Sequence, residues 1–258
     1  MNIPPENRSL NKTASELIGA SPRASADKTT APGTASDGNR RSPGAVVFLG
    51  PPGAGKGTQA RGIAKRLGIP HISTGDIFRE NVEKGTPLGQ AAKSILEAGD
   101  LVGDDLVNAM VRQRLRHPDC RNGFLLDGYP RTIPQAQALQ QLLQEDGQSG
   151  PVVVNLNVSY NVVVRRLSGR RVCPVCNRTY NLHSQPPAKD SVCDDDGASL
   201  QQRSDDREEA IRERLSAYEA RTVPLVQFYK GDGCLFEVDA DQSPEQITGA
   251  LAGLLQVS

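Results

Sequence analysis

The chain has 258 residues, 37% hydrophobic and 23% charged, which is enough apolar material for one to two domains. Thirty Lys and Arg balance thirty Asp and Glu, so a surface that is basic throughout, as in a general nucleic-acid binder, is excluded, although a local basic cleft is not. No run approaches the roughly 20 apolar residues of a bilayer-spanning helix, and no signal-type apolar stretch follows Met1, so the expected compartment is the cytoplasm.

Residues 1–43 are rich in Ser, Thr, Ala, Asn and Pro, and the first aromatic residue is Phe48. Such a segment buries too little apolar area to offset its conformational entropy and reads as a disordered N-terminal extension. A plain tail, a misassigned start and a targeting segment are the three readings. Glu6, Glu16, Asp27 and Asp37 weigh against the last, because transit peptides are poor in acids. From residue 45 onward short apolar runs alternate with helical patterns. Strands are expected at 45–49, 70–73, 124–126, 152–158 and 235–238, and helices at 56–67, 104–116, 135–144 and 206–229. This alternation predicts an α/β fold, a parallel five-stranded sheet flanked by helices. Between Val172 and Arg203 the pattern gives way to Cys, Pro, Asn and Gly, as in an inserted small subdomain.

The first strand runs into Gly50-Pro-Pro-Gly-Ala-Gly-Lys-Gly-Thr58 and then a helix. That is the context of a phosphate-binding P-loop. Glycines turn backbone N–H groups inward, the helix N-terminus adds its positive dipole end, and Lys56 reaches the β/γ-phosphates. Gly57 stands where the general pattern has Ser or Thr, and the hydroxyl comes one residue later at Thr58, so Mg²⁺ is expected to be held largely through water. Asp127 ends an apolar strand and reads as a Walker-B aspartate acting on Mg²⁺ through water, or else as a helix N-terminal or arginine partner.

Five cysteines, with one C-x-x-C, point to metal or redox chemistry in a reducing compartment rather than a disulfide framework. Cys173-Pro-Val-Cys176 is followed, after 16 intervening residues, by Cys193-Asp-Asp-Asp196, the layout of a small zinc ribbon. Three thiolates need a fourth ligand. Spacing favours Asp196, with Asp194 and Asp195 close by and His183 as a competitor. Four protein ligands leave no open position, so the metal would be structural. A redox pair and unmetallated thiols are the alternatives. Cys120 and Cys234 read as lone spacers, and His71 and His117 carry no recognisable site.

Residues 72–79 (ISTGDIFR), 123–131 (GFLLDGYPR), 169–171 (GRR), 202–206 (QRSDD) and 212–215 (RERL) together resemble the adenylate kinase family, in order and over more than four-fifths of the chain. The resemblance implies a P-loop nucleoside monophosphate kinase fold. Its core would be residues 44–72, 103–168 and 207–258, with an AMP-binding insertion at 73–102 and a zinc-bearing lid at 169–206. It implies reversible transfer of the terminal phosphoryl group of Mg-ATP to AMP, giving two ADP, by a monomer. ATP would be held by Gly53, Ala54, Gly55, Lys56, Gly57, Thr58, Arg166, Arg170, Thr179, Tyr180 and Gln242. AMP would be held by Thr74, Arg79, Asp100, Leu101, Val102, Gly128, Tyr129, Pro130, Arg131, Gln135, Arg203 and Arg214. Lys56, Arg131, Arg166, Arg170, Arg203 and Arg214 would be catalytic, and Cys173, Cys176, Cys193 and Asp196 the zinc ligands, as in a zinc-bearing subclass of bacterial members. Asp76, Asp205 and Asp206 are candidates to pair with these arginines.

The residue types suit that chemistry on their own. A phosphoryl-transfer transition state spreads negative charge over oxygens and calls for Lys and Arg. No general base is evident, which fits an acceptor that is already an ionised phosphate. A UMP, CMP or GMP kinase is the near alternative. A nucleic-acid-binding zinc-ribbon ATPase is disfavoured by three basic against four acidic residues in 172–203. A GTPase switch would need N-K-x-D, which Asn11-Lys-Thr-Ala14 does not supply.

Overall fold

The computed structural model describes residues 44–90 and 102–256. The expected N-terminal extension, and Asp100 and Leu101, lie outside the described residues. The chain divides into two compact units, which among the described residues comprise 44–73 with 122–256, and 74–90 with 102–121.

The larger unit is built on five parallel strands: β1 (Gly44–Leu49), β2 (His71–Ser73), β3 (Gly123–Asp127), β4 (Val152–Asn157) and β7 (Leu235–Asp239). They lie in the order β2-β3-β1-β4-β7, with Val46 opposite both Leu125 and Val152. The apolar runs are continuous rather than alternating because the central strands are covered on both faces: Val46, Val47, Leu125 and Val154 have no exposed surface. One face packs on α1 (Lys56–Leu67) and on α8 (Pro244–Leu254), where Ala60, Ile63, Ile247 and Leu251 join Val46, Phe48 and Leu156 in one core. A second cluster joins Val163 and Leu167 of α5 (Tyr160–Ser168) to Ile211 and Leu215 of α6 (Glu208–Arg221). Strand order reverses about β1, so the loop leaving it opens at the carboxyl edge of the sheet, the usual ligand crevice of such sheets.

The five expected strands are all present, and α4 spans Ile133–Glu145. The single helix expected over 206–229 is two: α6 ends at Arg221 and α7 runs Val223–Gly231. Pro224 is the reason. It has no N–H to give to Ala220 O, its ring crowds that carbonyl, and it is tolerated in a first turn, where no such bond is needed. Thr222 therefore closes α6 by donating its N–H to Tyr218 O (2.8 Å) and opens α7 by accepting from Leu225 N (3.0 Å). Helices α5 and α8 were not singled out in the sequence. The latter starts with a capping box between Ser243 and Gln246.

In the pattern-poor stretch, β5 (Arg170–Val172) pairs antiparallel with β6 (Thr179–Asn181). Its core is small: Cys173, Tyr180 and Cys193, with Ala198 and Leu200 against them. The smaller unit contains α2 (Thr74–Glu83), α3 (Asp104–Leu115) and a 3₁₀ turn at Pro118–Cys120. Helix α3 places Asp104 and Asp105 at the positive end of its dipole and buries Val107, Met110, Val111 and Leu115 along one stripe.

Candidate active site and metal centre

Residues 50–55 leave β1 and turn into α1 without a side-chain cap, and no acid lies in the first turn of that helix, so its positive end is uncompensated. Two glycines in the loop are steric requirements. A Cβ on Gly53, which has φ +81°, would stand 2.9 Å from Leu167 Cγ and 3.2 Å from Val163 O of α5. A Cβ on Gly57 would stand 3.2 Å from Asp127 Oδ2. A side chain at position 57 would therefore crowd the Asp127 carboxylate, and Gly57 leaves that space open. Thr58 is exposed.

Lys56 donates from Nζ to Gly50 O (2.7 Å) and Pro51 O (2.9 Å). Burial lowers its pKa to about 8. Asp127 opposes that shift, and the positive charges of Arg131, Arg214 and Arg170 add to it. Cations from four separate parts of the chain thus act on one point beside the phosphate loop. Two aspartates organise the arginines. Asp206, whose side chain is fully buried, accepts from Arg170 Nε (2.6 Å) and Nη2 (2.5 Å) and from Arg214 Nη1 (3.1 Å). Asp205 accepts from Arg203 Nε (3.0 Å) and lies 3.2 Å from Arg214 Nη1. Bidentate pairing fixes the plane of a guanidinium, which suits planar recognition of phosphate. Arg166 of α5 donates to Gln242 O (3.3 Å), joining two residues assigned to ATP.

The 128–135 segment is tied to itself. Arg131 Nε donates to Gly128 O (2.9 Å), Arg131 N donates to Gln135 Oε1 (2.8 Å), and Tyr129 OH donates to Gln135 O (3.0 Å). The Tyr129–Pro130 peptide is cis. Thr222, in the break between α6 and α7, donates from Oγ1 to Arg131 O (3.1 Å), so that break also braces the arginine. Thr74, Arg79 and Val102 belong to the smaller unit, where Arg79 pairs with Asp76. His71, which the sequence left without a role, lies with Nε2 3.6 Å from Asp127 Oδ2. Strand register brings them together, since Ser73 pairs with Asp127 and His71 is two residues back on the same side, and the sequence carries no signal of that register.

Cys173, Cys176, Cys193 and Asp196 form a cluster whose donor atoms all lie within 4.8 Å of one another. Cys176 Sγ and Cys193 Sγ are 3.5 Å apart, and Cys173 Sγ is 3.2 Å from Asp196 Oδ2. A tetrahedral Zn²⁺ with Zn–S of about 2.3 Å puts its sulfur ligands about 3.8 Å apart, so the donor set and its spacing fit a zinc-sized cation. The two halves repeat one turn. Cys173 N donates to Arg178 O (2.9 Å) and Asn177 N to Cys173 O (3.1 Å). Cys193 N donates to Ala198 O (2.8 Å) and Gly197 N to Cys193 O (3.0 Å). Asn177 and Gly197 both have positive φ. Ala198 N donates to Asp196 Oδ1 (2.9 Å) and helps hold that carboxyl down to about 2, ionised as a ligand must be.

The competitors are occupied elsewhere. Arg178 pairs with both Asp194 and Asp195, and His183 packs on Gly169. Tyr180, assigned to ATP, is spent inside this stretch: its ring is buried, its hydroxyl lies 3.4 Å from Cys193 Sγ and accepts from Asp194 N (2.8 Å).

A parallel sheet with a P-loop at its switch point and arginines converging beside it is the setting of a nucleotide phosphotransferase. The family model of adenylate kinases matches residues 48–234. The chain is 50% identical over 202 residues to an adenylate kinase of Caldanaerobacter subterraneus subsp. tengcongensis, covering 78% of this chain and 91% of that one. It is 49% identical over 213 residues to an adenylate kinase of Symbiobacterium thermophilum (83% and 99%), and 48% identical over 202 residues to one of Methanocella arvoryzae (78% and 94%). The chain belongs to the adenylate kinase family and is an enzyme of the phosphotransferase class. Among the described residues no helix is long and apolar enough to cross a membrane.

Proposed function

We propose that the family reaction, reversible transfer of the terminal phosphoryl group of Mg-ATP to AMP with formation of two ADP, is carried in this chain by electrostatic stabilisation without a protein base. The observation that supports this reading is the setting of Lys56, which feels Asp127 together with Arg131, Arg214 and Arg170. Lys56 and the loop 53–58 bind the donor phosphates. Arg170 and Arg166 follow the transferred group, while Arg131, Arg203 and Arg214 neutralise the acceptor side. The acceptor phosphate is already an anion at neutral pH, so the catalytic work is to align two polyanions and lower their repulsion. Asp205 and Asp206 set the guanidinium planes beforehand, which reduces reorganisation during the step. Mg²⁺ arrives with ATP as part of the substrate, and Asp127 would act on it through water.

AMP is received by Thr74, Arg79 and residues 100–102 together with 128–135. The insertion at 73–102 and the lid at 169–206 close over the substrates, excluding water and sparing ATP from hydrolysis. Cys173, Cys176, Cys193 and Asp196 hold one Zn²⁺, which supplies folding free energy to the lid and takes no part in transfer. The protein acts as a cytoplasmic monomer. Product analysis with Mg-ATP and a panel of AMP, GMP, CMP and UMP tests the reading: ADP is expected with AMP alone. Transfer to another monophosphate moves the acceptor specificity, and ATP hydrolysis with no transfer overturns the proposal.

A further inference from the structure

Gln59 lies one turn beyond Lys56 in α1, on the side of the helix that packs against α8. It is 4% exposed among Ala60, Ile63 and Ala64. An aliphatic side chain would suit such a position. A buried amide there must have both ends satisfied to avoid a desolvation cost, and both are. Nε2 donates to Pro244 O (2.9 Å), and Oε1 accepts from Thr248 Oγ1 (2.8 Å), whose one proton is shared with Pro244 O (2.8 Å). Pro244 is the first residue of α8, two beyond Gln242. The loop between β7 and α8 is held at further points. Asp241 N donates to Asp239 Oδ1 (2.9 Å), Ser159 N donates to Asp241 Oδ1 (2.9 Å), Gln242 Nε2 donates to Asp239 Oδ2 (3.1 Å), and Arg166 reaches Gln242 O.

The bridge therefore joins two elements 185 residues apart in sequence, one end a turn from the phosphate lysine and the other beside the Gln242 loop. We propose that Gln59 is a positioning residue for the donor nucleotide: its amide sets the spacing between the phosphate loop and the loop that receives the donor base. The proposal rests on the reading that the Gln242 loop takes that base. A ligand that touches both loops gains from a fixed spacing, because alignment is prepaid. A ligand that touches only the phosphate loop does not.

The test uses full-length Gln59→Leu and Thr248→Val. Calorimetric titration with Mg-ATP and with Mg-tripolyphosphate, which has no base, is compared with kcat and the KM for AMP. In Gln59→Leu the Kd for ATP is expected to rise about tenfold, the equivalent of one lost buried hydrogen bond. Tripolyphosphate affinity, kcat and the KM for AMP are expected to stay within about twofold, and Thr248→Val should shift ATP in the same direction by less. Equal losses for ATP and tripolyphosphate, or no loss for either, overturn the proposal. If Gln59→Leu does not fold, Gln59→Met and Thr248→Val carry the same comparison. Photolabelling of the wild type with 8-azido-ATP separates the premise from the proposal. Label on 239–243 with equal losses overturns the proposal alone, whereas label elsewhere overturns the base-loop reading and the proposal with it.

Discussion

In the parallel sheet, Val46, Leu125 and Val154 are sealed between helices, whereas residues 170–206 bury Cys173, Tyr180 and Cys193 around two tight turns. Each fully buried aliphatic side chain of the sheet contributes about 1.5–3 kcal/mol on removal from water, and the central core assembles more than a dozen buried residues. The cysteine-bearing stretch has no comparable source. Its two-stranded sheet is three residues per strand, and its repeated turns bring four donor atoms to one point. One region is held by buried area; the other has little of it and instead gathers a set of donors that a metal would tie together. The difference teaches where the two kinds of support lie: the P-loop and Asp127 grow from the sheet, while Arg170, Asp205 and Asp206 flank the stretch with the donor cluster.

Removal of the metal should break this contrast most strongly. Structural Zn²⁺ in small domains contributes about 10–16 kcal/mol of apparent binding free energy, so chelation or Cys193→Ser should unfold residues 170–206 locally. Elemental analysis should fall from about one zinc per chain to none. Hydrogen exchange should rise in that stretch while amides of β1, β3 and β4 keep their protection. Loss of protection throughout would show that the two regions are not separately stabilised.

Next in size is Lys56→Met, expected to lower kcat by about 10³-fold while the urea midpoint near neutral pH does not fall and should rise, because the variant removes a charge that burial disfavours and leaves the core area intact. Steady-state kinetics beside denaturation curves check it. Leu125→Ala acts on the other side of the comparison. It should cost about 3 kcal/mol of global stability, read by urea unfolding, and leave the metal content intact.

The smallest effect follows from Lys56 at about 8, below its ordinary value of 10.5. Between these values the unfolded chain holds a proton that the folded chain has released. Unliganded stability should therefore gain from this group as pH rises from about 8 to 10.5. ATP binding favours the charged ammonium, so affinity should fall as pH rises above about 8, by up to about tenfold per pH unit. Lys56→Arg should flatten the affinity profile, and calorimetry across pH 7–10 would reveal it.

Much of this was legible in the chain because its signals are local. The phosphate loop is nine consecutive residues between a strand and a helix, and the two cysteine turns are four residues each. The break at Thr222 was also written locally, in Pro224, but the long helical pattern on either side hid it. The bridge from Gln59 to Pro244 was not legible, since a glutamine in a helix carries no mark of a partner 185 residues away. The fourth donor was legible in part: the repeated four-residue spacing pointed to Asp196, and packing set it apart from Asp194, Asp195 and His183 by bringing it to the three cysteines.

By itself the sequence determined the sheet, the phosphate loop and the donor types, because hydrophobic period, glycine placement and ligand chemistry act over a few residues. Tertiary structure decided which charges meet. Asp206 became the buried anchor of Arg170 and Arg214, Asp127 met both His71 and the gap at Gly57, and Tyr180 turned inward to the cysteines. Those outcomes depend on distances between segments far apart in the chain, which sequence period does not encode and packing does.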